Sequence, residues 1–207
     1  MPADPAVKPL AYRHIGQPLV WLIPLTIFLI SGGLQLVGEA ATLALRFDRS
    51  GIADGELWRL LTGHLVHLGW QHLLLNLAGL GLVWFLVGSY LSNGAWLATL
   101  GVIVLCMDLA FWVLNPELNW YVGLSGVLHG LLLAGLVRGW RRAPLEAGVL
   151  SAVVAAKLAW EQVAGALPGS ELAAGGPVVV DAHLYGAAGG LLAGFLLSLM
   201  TRRRGSI

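Results

Sequence analysis

Residues 121–130 read YVGLSGVLHG, and Ser125 within them is a poor way to fill a lipid-facing helix. A hydroxyl flanked by Gly123 and Gly126, which let backbones approach closely, suits a nucleophile that both a peptide and water must reach. Serine is a weak nucleophile at its ordinary pKa and needs an adjacent base. His183, in the run DAHLYG, can supply a neutral imidazole that accepts a proton near neutral pH. His129 lies four residues after Ser125 on the same helical face and is a rival base. Attack on a carbonyl creates an oxyanion, for which donors must be waiting. The Asn76 amide, His72 four residues before it, and the Ser125 backbone N–H at a helix start can serve. The combination implies serine-dependent acyl transfer, with Ser125 as nucleophile and His183 as base.

Composition says where that chemistry takes place. Of 207 residues, 57% are hydrophobic and 11% charged, and the mean hydropathy is +0.79. Soluble domains carry roughly twice that charge. A transmembrane helix needs about 20 apolar residues. The pattern predicts an all-α membrane protein of six spans, at about 19–37, 72–91, 96–114, 123–137, 145–167 and 182–200. No linker divides the chain, so residues 1–207 are expected to form one domain, with a short tail at 1–17 and a basic tail at 201–207. Pro24 is expected to kink the first span. Ser92-Asn93-Gly94 is expected to be a tight turn. Residues 57–70, carrying His64 and His67, are expected to form an interfacial helix. The polar, proline-rich start is unlike a cleaved leader, so the first apolar run is expected to be a retained span. A net charge of +1 gives no case for nucleic-acid binding, and the single cysteine, Cys106, excludes an intramolecular disulfide. Nine tryptophans suit two water–lipid interfaces.

Orientation follows from the basic residues. With the N-terminus in the cytoplasm, Lys8, Arg13, Arg138, Arg141, Arg142, Arg202, Arg203 and Arg204 are inside, while Arg46, Arg49 and Arg59 are outside. Both ends are therefore expected to be cytoplasmic. Spans two, four and six then begin at the outer face, which brings His72, Asn76, Ser125 and His183 to one depth. Three positive helix ends meet there as well, and they favour a developing negative charge.

Small residues at four-residue spacing predict how the spans pack. Gly186, Gly190 and Gly194 make one stripe, and Gly126, Gly130 and Ala134 make another. Facing stripes would bring Ser125 to His183. Three charges lie inside spans: Asp108, with no partner visible in the sequence, and Lys157 and Glu161, whose spacing suggests a local ion pair. His64-x-x-His67 lacks the pattern of a zinc protease, so neither a metal nor another cofactor is expected. Asp181, two residues before His183, points elsewhere on a helix. A transporter would spread its polar groups toward the midplane, unlike this outer cluster.

Three motifs in order, His72-x-x-x-Asn76, Gly123-x-Ser125-Gly126 and Ala182-His183-x-x-Gly186, resemble the rhomboid intramembrane serine protease family. Trp58-Arg59 is similar to the Trp-Arg pair of that family's first outer loop. The resemblance covers about residues 57–195 and implies a six-helix rhomboid-like bundle with a Ser125–His183 dyad. It implies an oxyanion hole of His72, Asn76 and the Ser125 amide, supported by Gly123, Gly126 and Gly186. Its substrates would be single-span membrane proteins, cut near their outer end. The longer motif, Ser125-Gly126-x-x-His129-Gly130, resembles the bacterial rhombosortase branch. That likeness implies an inner-membrane protein with its site open to the periplasm, acting on substrates with a C-terminal Gly-Gly motif, a span and a basic tail. His129 would then support the site. Family relatives that only bind membrane clients typically lack the serine or the histidine, both of which stand here.

Overall fold

The computed structural model describes the backbone of residues 18–204 and the side chains of 19–200. The expected tail at 1–17, residues 205–207 and the side chains of Arg202, Arg203 and Arg204 lie outside this description. Ten α-helices are described: α1 (Leu22–Val37), α2 (Glu39–Leu45), α3 (Arg49–Ala53), α4 (Arg59–Thr62), α5 (Trp70–Val87), α6 (Asn93–Leu114), α7 (Ser125–Gly139), α8 (Pro144–Ala164), α9 (Ser170–Ala174) and α10 (Val180–Arg204). Two short strands, β1 (Phe47–Asp48) and β2 (Trp120–Tyr121), pair antiparallel, with Phe47 opposite Tyr121.

Five stretches are long and apolar enough to cross a membrane: Leu19–Val37, Trp70–Tyr90, Asn93–Leu114, Pro144–Ala164 and Val180–Met200. The fourth expected span is different. α7 has 15 residues, which at about 1.5 Å each reach only about 22 Å, short of a hydrocarbon core of about 30 Å. It stands in the middle of the bundle, touching α5, α6, α8 and α10, and most of its residues are buried. Protein rather than lipid surrounds it, so its length need not match the bilayer.

Its closest neighbour is α10, and the two glycine stripes explain why. A Cβ on Gly186 would collide with the Gly126 carbonyl, and one on Gly190 with the Gly130 carbonyl. One on Gly130 would come within 2.5 Å of the Gly186 carbonyl oxygen. Further along, a Cβ on Gly194 would touch Ala134 at 3.1 Å. Backbone therefore packs on backbone, as small-residue stripes permit.

Local boundaries correct three expectations. Pro24 falls in the first turn of α1, where no intrahelical N–H bond is lost, so it starts the helix instead of kinking it. The Ser92 side chain accepts from the Ala95 N–H and caps α6, so Asn93 and Gly94 are helical and not a turn. Residues 57–70 do not form one interfacial helix. Only α4 and Trp70, where α5 begins, are helical there, and the segment folds back on α2 and β1. The Arg59 guanidinium donates to the Leu43 and Arg46 carbonyls at 3.0 and 3.1 Å, and the Thr62 hydroxyl donates to the Leu45 carbonyl at 2.6 Å. His64 and His67 are consequently buried, each 2% exposed.

Candidate active site

Ser125 is the first residue of α7, and the turn that delivers it is fixed from several sides. Gly123 has φ +115°, a conformation that side-chain-bearing residues rarely adopt. Its N–H donates to the Gly63 carbonyl at 3.0 Å. Its carbonyl accepts from the Tyr121 hydroxyl at 2.7 Å. Burial pushes that hydroxyl well above its ordinary pKa, so it remains a donor. A Cβ at Gly123 would come within 2.8 Å of His72 Cε1, so the position has no room for a side chain either.

His183 lies in the first turn of α10 and is 5% exposed. Its Nε2 is 2.9 Å from Ser125 Oγ. The sequence-predicted pair is therefore brought within hydrogen-bonding distance across the α7–α10 contact. His183 Nδ1 is 2.9 Å from Glu161 Oε2 and 3.2 Å from Lys157 Nζ. Glu161 Oε1 accepts from Lys157 Nζ at 2.7 Å. Lys157 and Glu161 do form the local ion pair their spacing suggests. Their reach to His183 was not visible, because spacing along one helix says nothing about a residue 22 positions from Glu161 and 26 from Lys157. An available signal was the base itself: a histidine base requires an acceptor at its second nitrogen, and Glu161 is a carboxylate inside a span.

His129 takes a different place from that of a rival base. Its Nδ1 lies 2.7 Å from the Ser125 carbonyl oxygen, which can only accept, so Nδ1 is the protonated nitrogen. Its ring stacks on His183 with centroids 4.5 Å apart. It thus holds the first turn of α7 and covers one face of the imidazole.

His72 and Asn76 come from α5. The Leu68 N–H points to His72 Nδ1 at 3.4 Å, which makes Nδ1 the acceptor and puts the proton on Nε2 of the neutral ring. That N–H faces the Gly123 turn, where a Cβ would lie 3.0 Å from Nε2. Asn76 Nδ2 donates to the His72 carbonyl at 3.3 Å and sits beside the same turn. His72 and Ser125 both line a cleft of about 280 Å³. Its walls come from residues 117–122 and from Ala174, Pro177, Val178 and Val179.

The three histidines 64, 67 and 72 do not converge on a metal position. His64 turns to Asp108, with Nε2 3.2 Å from Oδ1, while the His67 and His72 rings meet edge to face at 5.0 Å. Asp108, without a partner in the sequence, has one here. Asp181 accepts from Asn115 Nδ2 at 2.6 Å and turns away from His183.

A family model, the rhomboid domain, matches residues 54–200. The chain belongs to the rhomboid family. Rhomboid family members are intramembrane serine proteases, and the domain together with the apolar helices makes this rhomboid a multi-pass membrane protein. The match begins after α1 and α2, consistent with a first span that carries no family motif.

Proposed function

We propose that this rhomboid is a serine endopeptidase that cuts single-span membrane proteins near the outer membrane face through Ser125 and His183. The observation that carries the reading is the 2.9 Å approach of His183 Nε2 to Ser125 Oγ beside a cleft that Ser125 lines. His183 takes the Ser125 proton as Oγ attacks the scissile carbonyl. His72 Nε2–H, the Asn76 amide and the Ser125 backbone N–H receive the oxyanion. His183 then returns the proton to the leaving amine, the peptide C–N bond breaks, and water hydrolyses the acyl-serine by the same route.

α7 is the fourth of six crossings, its serine end recessed below the outer surface because the helix is short. Both ends of the chain are cytoplasmic, which the excess of basic residues on that side supports. The membrane is the bacterial inner membrane, with the cleft open to the periplasm. The rhombosortase-like motif, with His129 stacked on the base, supports substrates bearing a C-terminal Gly-Gly motif, a span and a basic tail.

Co-reconstitution in liposomes with a single-span reporter of that kind tests both levels. Wild type is expected to cut it and Ser125→Ala to leave it whole, and a reporter with Val-Val in place of Gly-Gly is expected to resist. Equal cutting of both reporters would remove the rhombosortase assignment and keep the protease. A folded wild type that binds reporters and cuts none would instead favour a client-binding protein.

A further inference from the structure

A histidine that takes a proton at Nε2 must already carry one at Nδ1, and that N–H needs an acceptor. A serine–histidine pair alone leaves it without one. Here the Glu161 carboxylate stands 2.9 Å from Nδ1, 3% exposed, on a helix separate from those carrying Ser125 and His183. Resting on the Ser125–His183 reading, we propose that Glu161 is the positioning residue of the dyad, so that this rhomboid works with a Ser–His–Glu triad clamped by Lys157.

The competing account is an ion pair that merely neighbours the site. The geometry goes further than that. Each oxygen of Glu161 has a separate partner, Oε1 the ammonium and Oε2 the imidazole. Lys157 is partly exposed, its side chain 27% accessible, so it does not need Glu161 to escape burial, whereas Glu161 is closed in. The ammonium also lies 3.2 Å from His183 Nδ1. An ammonium can only donate. Facing Nδ1 alone, it would make that nitrogen an acceptor and force the proton onto Nε2, which disables the base. Glu161 prevents this by taking both the ammonium and the Nδ1–H, and its charge offsets the imidazolium that forms when Ser125 is deprotonated.

Other titratable groups face the same ring. From α7, His129 stacks on it, and its own Nδ1–H is committed to the Ser125 carbonyl. From α5, His72 is the further cation-forming neighbour. Neither offers an acceptor to His183 Nδ1, so the role falls to Glu161.

The test measures the rate of fluorophosphonate labelling of the full chain in detergent, across the pH range where histidine titrates, with thermal midpoints recorded in parallel. Glu161→Gln is expected to lower the rate by about 10²- to 10⁴-fold while the protein stays folded. Glu161→Asp should recover part of the loss. The double variant Glu161→Gln/Lys157→Met should label faster than Glu161→Gln alone, because the competing ammonium is gone; a purely structural ion pair predicts no such recovery. Wild-type rates from a folded Glu161→Gln, with an unchanged pH profile, would overturn the proposal. Should that variant not fold, ¹⁵N-histidine spectra of the wild type decide. A neutral His183 protonated at Nδ1 supports the proposal, and one protonated at Nε2 overturns it. Failure of the protease reading has its own signature, a folded wild type with no Ser125-dependent labelling, and this would bring the triad down with it.

Discussion

Among the described residues there are two buried histidine–carboxylate pairs, and only one stands beside Ser125, the proposed nucleophile. His183 meets Glu161 at 2.9 Å and His64 meets Asp108 at 3.2 Å, with all four side chains largely closed off. The difference lies at the other ring nitrogen. His183 turns its Nε2 to Ser125 at the cleft, while His64 Nδ1 has no hydrogen-bond partner among the described residues. The surroundings differ as well. Glu161 is held on both oxygens, whereas Asp108, among the described residues, bonds only to His64. His64 packs against the ring of Tyr121, 5.6 Å away, and Tyr121 holds the Gly123 carbonyl. The second pair therefore fastens the segment after α4 to α6 and steadies the turn that presents Ser125. A buried imidazole and carboxylate do not make a catalytic site; the group on the far nitrogen decides.

The sharpest way to break this contrast is Ser125→Ala. It is expected to abolish reporter cleavage entirely while leaving the thermal midpoint near that of wild type, since the serine is only partly buried. Asn76→Ala should follow, lowering the cleavage turnover number by about 10²-fold, the loss typical of one oxyanion donor. Steady-state cleavage with saturating reporter reads this, and an unchanged turnover number would remove Asn76 from the oxyanion hole.

The other pair should respond in stability instead of rate. Asp108→Asn leaves a buried histidine with a weakened partner and should cost about 3 kcal/mol, a fall in thermal midpoint on the order of 10 °C. The labelling rate of the protein that remains folded should stay within a fewfold of wild type. A large rate loss at unchanged stability would mean that the two pairs are not distinct in kind.

The smallest expected effect concerns His67, in the loop before α5. Burial, reinforced by the charge of His72, holds its pKa down from 6.5 to about 3. Between those values the unfolded chain binds a proton that the folded chain refuses, so stability is full above about pH 6.5 and declines as pH falls toward 3. Thermal midpoints at pH 7 and pH 5 should therefore lie closer together in His67→Phe than in wild type. An unchanged gap would show that His67 does not contribute to the acid sensitivity.

The parts of the fold that follow helical periodicity were legible in the sequence. The stripes through Gly126 and Gly186 are periodic, and so are His72 with Asn76 and Lys157 with Glu161, because a helix writes its neighbours three and four residues apart. Contacts made by folding back were not legible. The two-residue strands β1 and β2 are too short to carry an alternation, and their pairing turns residues 57–70 inward, burying His64 and His67. Asp108 finds His64 at a distance of 44 residues and Glu161 finds His183 at 22, separations that no local pattern encodes. Ser125 and His183 could be named as chemical types, while the acid behind them required the packing of α8.

Activation of Ser125 by His183, as proposed, can be read by mass spectrometry of the fluorophosphonate-treated protein. A single adduct is expected in the wild type, on the peptide containing Ser125, and its near disappearance in His183→Ala with the fold intact. An adduct on another serine, or undiminished modification of Ser125 in His183→Ala, would contradict it.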